Sequence, residues 1–349
     1  MVDLRLHRIA DVLLLNGSFT DNPGLLNGKM GIAIFMYNYA RKTGLEVYEK
    51  CACELIDDIY GEINTKTPVD FADGLAGIGW GVAYLVRNGF VQADADEVLS
   101  DIDKAVSRTI YKESILHEKN DLSGLGFYCL CRLNGKEPFR NIPDSELKKN
   151  NIIQLIEENE RFTRAEEKAD FNISQLNRGT INSIIWFLLE IHKLISFKTK
   201  AHELLLNLLS EPELVLGPSD DPVEELVLCK LIQNSIPLIS GAVLKEKYTS
   251  YANLITGRWN ELNIGDDKLE EIFSSLILYR LIYDPYLMDI KFLTQLRKKV
   301  FNNINKEENW SNLLDKLNKD NIGIKGLAGI GLGLMYEQFS NFQIHEFSN

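Results

Sequence analysis

Apolar positions along this chain fall into two kinds of segment, and the two kinds alternate. The first is apolar on nearly every side and punctuated by glycine: GKMGIAIFMY from Gly28, GLAGIGWGVAYL from Gly74, DLSGLGFYCLCRL from Asp121, LNRGTINSIIWFLL from Leu176 and GLAGIGLGLMY from Gly326. Each has a glycine at the matching place, at Gly31, Gly77, Gly124, Gly179 and Gly329. Successive copies lie roughly fifty residues apart, and the gap before the last is close to three such steps, as a repeated supersecondary unit requires. Two degenerate copies fill that gap, VEELVLCKLI from Val223 and LEEIFSSLILYRL from Leu269. The pattern predicts seven copies between residues 24 and 337.

The second kind of segment is amphipathic. From Glu46 to Ile63 the apolar residues Val47, Cys51, Leu55, Ile59 and Ile63 recur every fourth place, while Glu46, Glu49, Lys50, Glu54, Asp57 and Asp58 take the other side. One layer of helices is thus covered all round and a second layer is half in water. Nothing alternates with period two for long, so the expected class is all-α. A linear stack of hairpins does not need an inner layer that is apolar on all sides, whereas a closed ring does. The prediction is an α/α toroid, a double-layered barrel of seven inner and seven outer helices, formed by residues 1–349 as one domain.

Breaks between helices are expected at Asn64–Pro68, Asn134–Pro143 and Pro212–Pro222. Asp221-Pro222-Val223-Glu224 reads as an N-cap followed by a first-turn proline and a glutamate. Asp267 repeats the cap-to-glutamate spacing before Glu270. The polar stretch from Asn150 to Asp170 is expected to hold the third outer helix and its connection.

Net charge changes the picture of partners. The 349 residues carry a formal charge of −12, with a pI near 5.1. That balance argues against a nucleic-acid partner, whose phosphates reward clustered Lys and Arg. The N-terminal region has no signal-peptide pattern, and the apolar runs are too short to span a membrane, so a cytoplasmic location is expected. Five cysteines do not suggest a disulfide framework, and all five read as small buried hydrophobes. Cys51 with Cys53, and Cys129 with Cys131, fall on nearly opposite sides of a helix and cannot easily share a metal. No Walker loop, dinucleotide fingerprint or HExxH occurs.

Glycine inside a helix costs about 1 kcal/mol against alanine, so its repeated use needs a reason. Gly74, Gly77 and Gly81 share one helical face. Either neighbouring helices crowd that face, or it is left bare so that a ligand backbone can approach.

These repeated G-x-x-G starts, in phase over nearly the whole chain, resemble the lanthionine synthetase C-like family. The resemblance implies an α/α barrel with seven inner and seven outer helices. Cyclases of that family hold zinc at one mouth and close thioether rings by adding a peptide cysteine thiolate to a dehydrated serine or threonine. Asp121, three residues before Gly124, matches the family's third-repeat aspartate, implicated in acid/base work. Before Gly179, where the cyclases have histidine, this chain has Arg178. The Trp-Cys-x-Gly and Cys-His-Gly segments that supply the zinc ligands are missing. Cys229 lies within an apolar run, and no histidine occurs between His202 and His345. Catalytic zinc needs three protein ligands and an open position, and it would hold the thiol as thiolate. Without it, a thiol of pKa about 8.5 is only a few per cent ionised at pH 7. Arginine stays charged and cannot shuttle a proton in histidine's place. Zinc-dependent cyclase chemistry is therefore not supported by the residues, and neither a cofactor nor a metal is expected.

The candidate site is one barrel mouth. Asp121 and Arg178 occupy matching positions one repeat apart. They form either an ion pair or a polar anchor for a peptide, with Arg178 gripping a carboxylate or phosphate and Asp121 an amine. Asp73 and Asn177 flank the same mouth, and Asp73 also suits a helix cap. His117 precedes Asp121 by four residues. The candidate substrate-binding residues are therefore Asp73, His117, Asp121, Asn177 and Arg178, and Asp121 and Arg178 are also the catalytic candidates. The four tryptophans read as core. Two functions remain. One is a zinc-less peptide-binding module or pseudoenzyme in lanthipeptide-type maturation, whose partners are a substrate or leader peptide and a peptide-modifying enzyme. The other is an α/α-barrel glycosidase or epimerase using Asp73 and Asp121, which would need its carboxylates about 5–9.5 Å apart. A cyclase with a non-standard site is a third. Replacing Arg178 by alanine is expected to spare the fold.

Overall fold

Each of the seven apolar copies is a helix, and those described in full are buried along almost their whole length. In the computed structural model, residues 4–111, 122–133, 143–163, 178–217, 219, 221–261, 268–282, 290–319 and 321–335 are described. The helices run α1 (Leu4–Asn16), α2 (Lys29–Thr43), α3 (Glu46–Glu62), α4 (Leu75–Arg87), α5 (Ala95–Val98) and α6 (Ser100–Ile110). Then come α7 (Leu122–Leu133), α8 (Pro143–Thr163), α9 (Arg178–His192), α10 (Lys198–Leu209), α11 (Pro212–Val215) and α12 (Pro222–Ser235). The last are α13 (Ala242–Glu261), α14 (Leu269–Ile282), α15 (Ile290–Ile304), α16 (Glu307–Asp315) and α17 (Leu327–Met335). No strand occurs among the described residues. The seven copies are α2, α4, α7, α9, α12, α14 and α17. No described helix is long and apolar enough to cross a membrane.

The helices pack as two units, Met1–Val106 with Ile264–Asn349, and Ser107–Asn263. In the first, α14 packs on α17, α17 on α2 and α2 on α4, which places the sixth, seventh, first and second copies side by side. Outside this row lie α3, against α2, and α15, against α14 and α17. The last copy also meets the first helix of the chain, since α1 packs on α17. That contact brings the first and last described helices together within this unit. In the second unit α7, α9 and α12 make the inner row, with α8, α10 and α13 packed against them.

Outer helices show the expected two faces, with a correction to α3. Its buried residues are Tyr48, Cys51, Ala52, Leu55 and Ile59, whereas Val47 is half exposed. A strict four-residue step advances 40° per step around a helix of 3.6 residues per turn, so the stripe drifts off the buried face at its ends. Cys53 is exposed, 3.3 Å from the Tyr37 hydroxyl, so only four of the five cysteines are buried. The Asp221 cap forms as read: its Oδ1 accepts from the Val223 and Glu224 amides at 2.7 and 3.2 Å. The third outer helix, α8, starts at Pro143, before the polar stretch assigned to it. The expected Asp267 cap lies outside the described residues.

The glycine question is answered by close packing. A Cβ at Gly77 would collide with the Phe71 carbonyl and lie 3.1 Å from the Leu25 side chain. One at Gly31 would collide with the Leu25 carbonyl and meet Ile324. One at Gly329 would collide with the Ile324 carbonyl and meet Ser274. At these three positions glycine thus lets a helix start fold back on its own preceding loop while touching its neighbour. The loops are stitched by backbone bonds: Leu25 and Leu26 amides donate to Ala72 O at 3.0 and 2.9 Å, and Lys325 N donates to Leu26 O at 2.9 Å.

Candidate functional site

These stitched loops place the starts of α2, α14 and α17 around a cavity of about 690 Å³ in the first unit. Its apolar lining is Leu327 and Ile330 from α17 and Leu313 and Leu317 from the α16 segment. Five of its polar side chains are carboxamides, from Asn27, Asn303, Asn309, Asn312 and Asn321. Glu270 and Glu271, on the first turn of α14, face it with Lys316 and Lys325.

Several of these groups hold one another in place. Asn309 Nδ2 donates to Asn303 Oδ1 at 2.6 Å, and Asn303 Nδ2 donates to Glu270 Oε1 at 2.8 Å. The Ser274 hydroxyl lies 3.0 Å from both the Glu271 and Lys325 carbonyls, tying α14 to the turn before α17. The wall helix α16 buries only Trp310. On that side Arg5 of α1 lies over the indole, 5.3 Å from its ring centre, and donates to Glu307 at 2.8 Å and to Asn305 O at 3.0 Å.

Asp73 belongs to this neighbourhood, but not as a helix cap. Gly74 precedes α4 and provides no side-chain cap. The Asp73 carboxylate instead accepts from Asn22 Nδ2 at 2.8 Å and from Asn27 Nδ2 at 3.3 and 3.2 Å. Its own amide donates to Asp70 Oδ1 at 2.7 Å. Asp73 therefore fixes the amide end of Asn27, which lines the cavity.

Arg178 lies in the other unit. It is 7% exposed, and its two terminal nitrogens donate to the carbonyls of Val215 and Gly217. The guanidinium holds the turn after α11, so removal of its side chain removes a structural tie, contrary to the expectation that the fold would be spared. One helical turn along, Asn182 is fully buried and donates to Glu224 O at 2.8 Å. Tyr251 stands near Arg178; burial pushes its hydroxyl up to about 12, against the lowering effect of the arginine charge. Asp121, Asn177 and His117 lie outside the described residues.

The zinc set implied by the family resemblance does not fit these residues. Cys229 sits well inside α12, fully buried, with Sγ 3.4 Å from Ala252 O and 3.7 Å from Thr256 Oγ1. Burial pushes its thiol up, the reverse of what a thiolate ligand needs. The fifth and sixth copies begin with Pro222 and with Leu269-Glu270-Glu271, which supply neither cysteine nor histidine. Among the described residues no three His, Cys, Asp or Glu side chains are grouped to hold a metal.

The cavity residues were not candidates in the sequence. A signal was nevertheless present: seven of the twenty residues from 302 to 321 are asparagine. Such a density between two helices marks polar lining or turns, and here it supplies both.

The fold is that of the lanthionine synthetase C-like α/α toroids. A solved structure of nisin cyclase matches it with a TM-score of 0.62 and 13% identity, over 95% of this chain and 94% of that one. No protein-family model matches the sequence, and neither does any curated protein.

Proposed function

We propose that this protein is a peptide-binding relative of the thioether cyclases that uses their scaffold without their zinc chemistry. It holds a substrate or leader segment during lanthipeptide-type maturation and presents it to a peptide-modifying enzyme. One observation carries the reading: the cavity at the inner-helix starts is lined by carboxamides and leucines and, among the described residues, by neither cysteine nor histidine. Asparagine side chains carry the same donor and acceptor as a peptide unit, so they pair with main-chain N–H and C=O groups in either direction. The leucines and isoleucine of the same lining accept apolar side chains.

The carbohydrate-active alternative needs a free acid–base pair. Asp73 commits its carboxylate to Asn22 and Asn27 instead.

The test combines elemental analysis of the purified chain with titration by an unmodified precursor peptide. Substoichiometric zinc together with peptide binding is expected. One zinc per chain, or failure of every peptide to bind, overturns the proposal.

A further inference from the structure

The charges around the cavity narrow the ligand. Glu270 and Glu271 sit together on the first turn of α14, while Lys316 follows α16 and Lys325 precedes α17. Glu270 is engaged by Asn303, but none of Glu271, Lys316 and Lys325 has an ion-pair partner among the described residues. The first amides of α17 cannot serve as an anion site, because Leu327, Ala328 and Gly329 already donate to the carbonyls of Asn321, Ile322 and Gly323. Negative charge on a ligand must therefore go to the lysines, and positive charge to the glutamates.

Other ligand classes suit this lining less well. A metal ion would find two ammonium groups beside the two carboxylates. A sugar would look for an aromatic platform, and among the described residues no aromatic side chain lines the cavity. An internal stretch of polypeptide has no main-chain charge to offer either pair. A short peptide with both ends free has one charge of each sign, separated by apolar side chains. This cavity is lined by charged groups of both signs and by leucines. The volume of about 690 Å³ lies within the range of roughly 300–1,000 Å³ usual for small-ligand sites.

We propose that the cavity captures short apolar peptides by their free ends, with the α-ammonium at Glu271 beside Glu270 and the α-carboxylate at Lys325 and Lys316. This rests on the peptide-binding reading above and adds to it the demand for unblocked termini. In a maturation sequence, such a ligand is the product of a peptide-bond hydrolysis.

The experiment is calorimetric titration of the full chain with trileucine, N-acetyl-trileucine and trileucine amide at low salt. Free trileucine is expected to bind, and each blocked form to bind on the order of tenfold more weakly, for the loss of one charge-assisted contact. The Glu271→Gln variant should no longer distinguish the acetylated form, and Lys325→Met should no longer distinguish the amide. Both side chains are exposed, so a helical circular-dichroism spectrum is expected to be retained. Equal binding of all three forms overturns the free-end proposal and leaves the peptide-binding function standing. Binding of a long precursor but not of trileucine does the same. If neither trileucine nor the precursor binds, both readings fall.

Discussion

Replacing Gly77 with alanine tests whether glycine serves close packing at the helix starts. The new methyl group would collide with a backbone oxygen, that of Phe71, and press on Leu25 at 3.1 Å. Overpacking of this kind costs about 1–3 kcal/mol. Relief requires the loop before α4 to move. That loop holds the Leu75 N–H to Pro68 O bond at 2.8 Å and accepts the Leu25 and Leu26 amides at Ala72. Loss of one such bond adds about 0.5–1.5 kcal/mol, and alanine's better helix propensity returns about 1 kcal/mol. The net expectation is a destabilisation of about 0.5–3.5 kcal/mol. Gly257, within α13, is the control: an added Cβ there meets nothing within 4 Å, and the residue is exposed. Only propensity acts at that site, so Gly257→Ala should stabilise by up to about 1 kcal/mol. Urea unfolding followed by circular dichroism reads both, with opposite shifts of midpoint. A neutral or stabilising Gly77→Ala would show that the helix starts are roomy and refute the packing argument.

Three further outcomes are expected. Arg178→Ala should lower stability by about 1.5–3 kcal/mol, the usual worth of a hydrogen bond from a charged donor, and a wild-type unfolding midpoint would mean the turn after α11 does not depend on it. Asp73→Ala releases Asn22 and Asn27, at a cost of about 1–3 kcal/mol, and should weaken precursor-peptide titration because Asn27 lines the cavity; unchanged binding would detach Asp73 from the site. Acidification should destabilise the second unit through His192, which is held below the ordinary histidine range by burial and by His202 and Lys198. Because protonation is harder in the folded state, stability is complete above about pH 6.5 and falls as pH drops through the lowered folded value. His192→Gln should flatten thermal-melt midpoints over that interval, and an unaltered slope would assign the effect elsewhere.

Layering was readable because it needs only composition averaged over a turn: stretches such as GLAGIGLGLMY have no polar face to put in water, and α17 is buried throughout. The Asp221 cap was readable because all its parts lie within four residues. The error at Val47 came from extending a local spacing beyond the range over which the helix keeps it in phase. Site residues fared differently for a reason of distance. Asp73 looked like a cap because its nearest helix start is one residue away, yet its carboxylate partners are Asn22 and Asn27, about fifty residues earlier in a repeated unit. Asn27, Glu271 and Lys325 come from three different copies, and no short motif contains them together. Arg178 was aligned with a catalytic position, but what it touches is set by the turn at Val215, which nothing in its own segment announces.

The bond from Arg5 to the Asn305 carbonyl joins residues 300 positions apart. During synthesis at roughly 5–20 residues per second, α1 therefore waits about 15–60 s for its partner to emerge from the ribosome. The helices from Ser107 to Asn263 form a continuous stretch and can finish folding in that interval. Until the last third arrives, the sides of α1 and α2 that pack on α17 stay bare, so this nascent intermediate is where chaperone dependence should concentrate.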